Sequence, residues 1–264
     1  MIVANTIAIA QRELQSYFAN PLAYILAAVF WLISGWFFIE ILMSDRGIIQ
    51  QIIISERMGV DIDSIDVATE FLNSFLAVLS SLSLFIVPIL TMGLYAEEKK
   101  RGTLELLATS PITNWVVASG KLLAVMVLFT FMILPALIYE AIAFSAASPP
   151  LAPTVPLLAH LGLILLMASL LSLGMFISSL TNSTIVSAIL TFGMVLLLWV
   201  LDPIANNLNG WLRESLLSIS PIESYNNLVR GIAETSDLIL FASCIFFGIF
   251  LTAQSIHSLR LNRR

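Results

Sequence analysis

The stretch EEKKRGTLE, residues 97–105, is a dense block of charge between two long apolar runs. Only 11% of the 264 residues are charged, so this density stands out from the rest of the chain. Charge this concentrated cannot lie in hydrocarbon, because the bilayer core offers nothing that replaces lost hydration. The block must therefore lie at a membrane surface or against a partner protein.

Composition places the flanking sequence in a membrane. The chain is 59% hydrophobic, and its mean hydropathy is +0.97. A soluble domain is nearer half apolar and about a quarter charged. Cys244 is the only cysteine, which excludes a disulfide framework and a cysteine metal cluster. The N-terminus has no basic start and no long apolar core, so we expect no removable signal peptide.

Six stretches are long and apolar enough to cross a bilayer, which takes about 20 residues per helix. They are residues 21–43, 71–95, 115–145, 156–180, 184–201 and 238–259. Residues 2–19 alternate apolar and polar side chains, which is typical of an interfacial helix, although a short soluble helix is the alternative. We therefore predict one all-α, polytopic membrane domain over residues 1–264.

A residue that caps helices precedes a proline at three places: Asn20-Pro21, Ser110-Pro111 and Ser220-Pro221. Glu223 follows Ser220 by three residues and completes a capping-box pattern. The pattern predicts a short helix over residues 220–233, before the last span. It is too short to cross the bilayer, so it is either re-entrant or external.

Basic residues predict the orientation. With six spans both termini share a side, and eight of the 12 basic residues fall there: Arg12, Lys99, Lys100, Arg101, Lys121, Arg260, Arg263 and Arg264. The opposite loops hold Arg46, Arg57, Arg213 and Arg230. The positive-inside rule then places both termini and the charge block in the cytoplasm, with the chain in the inner (plasma) membrane.

The block itself reads as a short charged helix, residues 97–109, that ends before a proline. Such a helix could dock into a groove on a soluble partner and act on two spans at once. On charge alone, a solvated loop whose lysines enforce topology is the other interpretation.

Two motifs resemble a known family. Glu98-x-x-x-Gly102-Thr103-x-Glu105-x-Leu107, Ser110-Pro111-Ile112 and Gly120-Lys121 resemble the signature of ABC-2-type permeases, the membrane subunits of ATP-binding-cassette exporters. Ser220-Pro221-x-x-x-Tyr225-x-x-Leu228-x-x-Gly231 and then Asp237 resemble one subgroup, which includes the gliding-motility permeases and the permease of nitrous-oxide-reductase maturation.

The resemblance implies that the block is a coupling helix that contacts an ATPase subunit. The coupling residues would be Glu97, Glu98, Lys99, Arg101, Gly102, Thr103 and Glu105. It also implies a second permease copy, either a homodimer partner or a similar permease. ATP and Mg would be bound by the ATPase, since this chain has no G-x-x-x-x-G-K-[ST] motif. We expect no cofactor, metal or nucleic acid on the chain itself, and no enzyme activity.

Some residues within the spans are weaker candidates for substrate contact or gating. Glu40 and Glu140 lie near the outer ends of their spans, where they could reach outer water. Pro88 and Pro135 would bend their helices. A small-residue series on the fourth span predicts close helix contact: Ser169, Ser172, Gly174, Ser178 and Ser179.

The short helix before the last span would be a lid or a contact for an extracytoplasmic partner. Its candidate residues are Ser220, Pro221, Glu223, Tyr225 and Gly231. The scarcity of polar groups in the spans points to an amphipathic or lipid-like substrate, or to work on a partner protein.

Two other classes compete with a permease. A secondary transporter or channel would need charged groups near the middle of its spans, and we see none there. An intramembrane enzyme would need clustered ligands or nucleophiles, whereas His160 and His257 stand alone in the sequence. We expect the permease to copurify with an ATPase, which a carrier would not need.

Overall fold

The structure, a computed structural model, describes residues 2–58, 67–104, 112–145 and 151–261. Within these ranges the chain forms helices and no strand. We number them in chain order: α1 (Ile2–Ala19), α2 (Pro21–Met43), α3 (Ile48–Arg57), α4 (Val67–Thr91), α5 (Ala96–Arg101), α6 (Asn114–Ser145), α7 (Thr154–Leu180), α8 (Thr184–Asn206), α9 (Trp211–Ser218), α10 (Pro221–Val229) and α11 (Thr235–Leu261).

Six of these helices, α2, α4, α6, α7, α8 and α11, are long and apolar enough to cross a membrane. The predicted all-helical fold with six spans is therefore confirmed. The second span differs from its predicted range, residues 71–95, because α4 ends at Thr91 and the chain turns before α5.

Capping fixes several of these boundaries. Asn20 accepts a hydrogen bond from the Leu22 amide at 3.0 Å, and Pro21 opens α2. Ser220 caps α10 by accepting from the Glu223 amide at 3.3 Å. The reciprocal half of the predicted capping box is not formed, because the Ser220 amide donates to Leu217 O instead. The Ser110-Pro111 pair lies outside the described residues.

Helix α7 lies at the centre of the bundle and contacts α4, α6, α8, α10 and α11. Its predicted small-residue face does permit close approach. A Cβ added at Gly248 of α11 would lie 2.6 Å from the Ser172 carbonyl carbon, so only glycine fits there. Ser169 and Ser172 also donate hydrogen bonds across this contact, to Phe241 O and Cys244 O at 3.3 Å each.

Helix α1 packs against the first turns of α6. Its inner side is a stripe at helical spacing: Thr6, Ile9, Ala10, Glu13, Leu14, Tyr17 and Phe18. Ile9 lies against Gly120, where an added Cβ would come within 2.9 Å of the Ile9 Cβ. Ile2, Val3 and Ile7 remain exposed on the other side, which suits contact with a membrane surface.

The segment before the last span differs from its predicted form. The helix ends at Val229 rather than continuing to residue 233, and Gly231 has a φ of +79°. Tyr225 and Leu228 are buried, and the Tyr225 hydroxyl donates to Leu76 O at 3.0 Å. Leu76 lies about 13 Å along α4 from its start, at about 1.5 Å per residue. This contact holds α10 against α4, and the choice between a re-entrant and an external helix stays a prediction.

Two further helices, α3 and α9, occur in loops where we predicted none. In α3 the isoleucines follow helical spacing, with Ile48 buried and Ile52 half-buried. That spacing was readable in the sequence, but the helix is too short to stand out as a span.

Candidate functional site

The charged block forms α5, which lies at one end of the bundle together with α1, the start of α6 and the end of α7. We call this the α5 end. Three separate contacts hold α5 there, and each uses different chemistry.

The first contact is with the turn before α5. The Ser178 hydroxyl accepts hydrogen bonds from the amides of Tyr95 and Ala96, both at 3.1 Å. The same hydroxyl donates to Met92 O at 3.1 Å. One side chain of α7 therefore fixes both arms of the turn and sets the direction in which α5 leaves α4.

The second contact is at the C-terminal end of α7. The Lys99 ammonium donates to Ser179 O, and the Ser255 hydroxyl donates to the same carbonyl at 3.1 Å. The last carbonyls of a helix lack intrahelical partners and carry the negative end of the helix dipole. Lys99 thus supplies a positive charge where α7 favours one.

The third contact is a buried ion cluster that joins three helices. The Lys121 amine of α6 lies 3.0 Å from Glu98 Oε1 and 3.1 Å from Glu13 Oε2. The Lys121 side chain is only 2% exposed, against 16% for Glu98 and 13% for Glu13. Its amine also lies 5.3 Å from the centre of the Tyr95 ring, within range of a cation–π interaction. A buried ammonium needs such compensation, because desolvation alone costs several kcal/mol.

Tyrosines surround this cluster. Burial, and then the charges of Glu13 and Glu98, raise the pKa of Tyr17, so its hydroxyl remains protonated. The hydroxyls of Tyr17 and Tyr95, and Glu98 Oε2, are buried with no hydrogen-bond partner among the described residues. The cluster is therefore largely enclosed by protein, so a change of charge has a larger effect there than on the surface.

A cavity of about 670 Å³ opens beside the cluster. Its polar side includes Arg12, Glu13, Glu98, Arg101 and Lys121, and its apolar side includes residues from the start of α2 and the end of α4. The cavity therefore separates α1 and α2 from α4 and α5.

The other side of α5 is exposed, and its residues Glu97, Arg101 and Thr103 also border the cavity. Glu97 and Arg101 form an i,i+4 ion pair at 2.5 Å, with side chains 49% and 70% exposed. Lys100 and Thr103 are also exposed. Exposed pairs of this kind contribute little to stability, typically about 0.3–0.5 kcal/mol. This face is available to a partner.

Helix α5 ends sharply at Gly102, which has a φ of +72°. The Thr103 amide donates to Glu98 O at 3.0 Å and the Gly102 amide to Lys99 O at 3.1 Å, which together form a Schellman motif. The prediction of one continuous helix over residues 97–109 is therefore wrong at Gly102, because this residue turns left-handed. Glu105 lies outside the described residues.

The predicted coupling residues thus separate into two groups. Glu97, Arg101, Gly102 and Thr103 lie on the exposed side, whereas Glu98 and Lys99 are turned into the bundle. Sequence reasoning missed Lys100 as an exposed member. It also missed the pairing of Glu13 with Lys121, although each is the lone charge in an otherwise apolar or small stripe of its helix.

The two span glutamates behave differently. Glu40 is exposed on α2. Glu140 is only 3% exposed, and its Oε1 lies 3.5 Å from His160 Nε2. The prediction that Glu140 reaches outer water is wrong, and so is the interpretation of His160 as isolated, because the two side chains face each other between α6 and α7. No group of three or more potential metal ligands occurs in the described part of the chain.

The remaining candidates lie in helix interiors or near α10. Helices α4 and α6 continue through Pro88 and Pro135, respectively. The Ser220 hydroxyl donates to Asp202 Oδ1 at 2.5 Å, while Pro221 is buried and Glu223 half-buried. The hydrogen bond to Asp202 joins the start of α10 to the end of α8, which gives Ser220 a structural role. A role of these residues in gating or partner binding remains a prediction.

Comparison with known proteins gives a consistent picture. The family described as "ABC-2 family transporter protein" matches residues 7–261. The chain is 29% identical over 163 residues to proteins described as "Probable multidrug ABC transporter permease YbhR" from Escherichia coli strain K12 and Escherichia coli O157:H7. That alignment covers 60% of this chain and 42% of each relative.

Proposed function

We propose, on the premise that this chain belongs to the ABC-2 family of transporter proteins, that it is the membrane-spanning permease subunit of an ATP-binding-cassette exporter. A separate ATPase subunit would bind ATP and Mg and hydrolyse the ATP. This chain would receive the resulting motion and open a path for a substrate to leave the cytoplasm.

The observation that carries the proposal is the two-sided character of α5. One side is fixed to the bundle through Ser178, Ser179 and Lys121, and the other presents Glu97, Lys100 and Arg101 to solvent. A helix attached so firmly cannot move without moving the spans to which it is bonded. An exposed, mixed-charge face also suits recognition, because complementary charges steer docking and fix its register. We propose that this face is the ATPase contact.

The rest of the assembly follows from the same role. The α5 end would face the cytoplasm, with both termini on that side of the inner (plasma) membrane, as the distribution of basic residues favours. A second permease copy, identical or similar, would complete the translocation path. An extracytoplasmic partner could contact α10. The apolar spans support an amphipathic cargo.

The proposal is tested with exposed residues only. The chain would be copurified with its ATPase subunit, and permease-stimulated ATP hydrolysis would be measured for Arg101→Glu and Lys100→Glu. We expect each reversal to weaken docking by about tenfold, which corresponds to about 1.4 kcal/mol. The matched control is Arg213→Glu, an equally exposed arginine at the opposite end of the bundle.

Unchanged stimulation in both α5 variants would remove the docking assignment. Failure of any ATPase to bind or respond to the unmodified chain would remove the permease role altogether and favour a self-sufficient carrier. Glu98→Lys is unsuited to this test, because Glu98 is paired inside the bundle and its reversal would disturb the fold.

A further inference from the structure

We infer that Lys121 is a positioning residue that couples α1 to α5, so that the N-terminal helix moves with the docking helix and changes the cavity between them. The inference rests on the proposed function, since it takes α5 as the helix on which the ATPase acts. It assigns a task to a residue that lies on neither of the two moving helices.

The geometry places Lys121 at a junction. One amine lies 3.0 Å from a carboxylate of α5 and 3.1 Å from a carboxylate of α1, although these two helices belong to distant parts of the chain. The three side chains are 2–16% exposed and border the cavity, and the two direct ion contacts join α1 and α5 to α6. The link is therefore short and strongly favoured.

Because Lys121 is bonded to both carboxylates, a displacement of α5 also acts on α1. If α5 moved away alone, Glu98 would leave the amine, or the amine would follow and leave Glu13 behind. Either movement breaks one of the two short ion contacts of an ammonium whose side chain is only 2% exposed, which is unfavourable. Movement of all three groups together avoids it. Displacement of α5 is thus transmitted to α1 through Lys121 and Glu13.

Helix α1 is free to respond on its outer side. Ile2, Val3 and Ile7 are exposed, and Ile9 rests on the glycine next to Lys121. The cavity of about 670 Å³ provides the space. Because α1 and α2 form one wall and α4 and α5 the other, a joint movement of α1 and α5 changes the shape of the cavity at its charged end.

A reporter on α1 tests the inference. The single cysteine is removed by Cys244→Ser, and Gln15→Cys, on the exposed side of α1, is labelled with monobromobimane before the ATPase is added. Emission is compared with and without ATP, Mg²⁺ and orthovanadate. We expect a nucleotide-dependent change in the parent, loss of that change in Glu13→Gln and Lys121→Met, and its recovery in Lys121→Arg.

The control is Arg213→Gln, which removes an exposed arginine charge outside the cluster and the cavity and should keep the full response. Glu13→Gln remains informative if Lys121→Met fails to fold, because it leaves the Lys121–Glu98 pair intact. A full bimane response in Glu13→Gln, with ATP hydrolysis still stimulated, would overturn the inference and leave the proposed function standing. Absence of any ATPase bound to the parent chain would overturn both.

Discussion

Glu97 and Glu98 are neighbours of the same residue type, yet neutralising them should have very different effects on stability. The Glu97 carboxylate is about half exposed and pairs with an exposed arginine, whereas the Glu98 carboxylate is 16% exposed and pairs with buried Lys121. The substitutions Glu97→Gln and Glu98→Gln change the same atoms in each case. Any difference between them therefore reports the environment alone.

The magnitude follows from the geometry of the cluster. At 3.0 Å and an effective dielectric constant of about 20, the gross attraction between Lys121 and Glu98 is about 5 kcal/mol. Desolvation of Glu98 and its repulsion by Glu13 offset part of this, and after the substitution Lys121 still keeps Glu13 at 3.1 Å. The net loss should lie below the roughly 3–5 kcal/mol of a completely broken buried pair, at about 2 kcal/mol. Glu97→Gln should cost about 0.3–0.5 kcal/mol.

Thermal unfolding in lipid nanodiscs, followed by tryptophan fluorescence, measures the contrast. About 2 kcal/mol should lower Tm by about 4–8 °C in a chain of this size, and Glu97→Gln should lower it by no more than about 2 °C. Lys121→Met should exceed both, since it removes the ion contacts of Glu98 and Glu13 together and leaves Glu13 only Arg12 at 4.0 Å. Equal shifts for the two glutamine variants would refute the assignment of Glu98 to a buried ion pair.

Three further substitutions test the packing that holds the site. Gly102→Val should cost at least about 1 kcal/mol and shorten α5, because Gly102 is left-handed, and Gly102→Asn should cost less; hydrogen exchange of the α5 amides measures both. Gly248→Ala should lower stability by about 1–3 kcal/mol through overpacking. Gly193→Ala is the control and should leave stability unchanged, because an added Cβ there meets nothing within 4 Å. Equal Tm values for the two variants would contradict the close packing at Gly248. Tyr225→Phe should cost about 1 kcal/mol through the lost hydrogen bond to Leu76 O, and a Tm equal to that of the unmodified chain would contradict this contact between α10 and α4.

The spans could be predicted because a bilayer imposes length and hydropathy on each helix separately. The start of α2 was readable to the residue, since Asn20 and Pro21 carry the capping signal in the sequence itself. The end of α4 was not, because the turn after Thr91 is fixed by Ser178, which comes from a different helix. A local pattern cannot contain a contact made between helices distant in sequence.

The same distinction applies to the polar residues. The sequence shows how far along their helices Glu140 and His160 lie, but not which way their side chains face. In the structure the two side chains face each other, with His160 Nε2 at 3.5 Å from Glu140 Oε1. Glu13 and Lys121 were likewise treated as an amphipathic-helix residue and a topology residue. Each is a single charged residue on a stripe of apolar or small residues, which is visible in the sequence. Only the packing of α1 on α6 shows that the two charges form an ion pair.

The order of charges in α5 explains why one short helix can serve two purposes. Glu98 and Lys99 point inward and bond to α6 and α7, while Glu97, Lys100 and Arg101 point outward. At about 100° per residue, Glu98 and Lys99 fall on one half of the helix circumference, and Glu97, Lys100 and Arg101 fall on the other half. Charge reversal on the outer face therefore tests recognition of a partner, and neutralisation on the inner face tests transmission into the bundle. A loop that served only to enforce topology would need no such division, since its net charge alone would decide orientation.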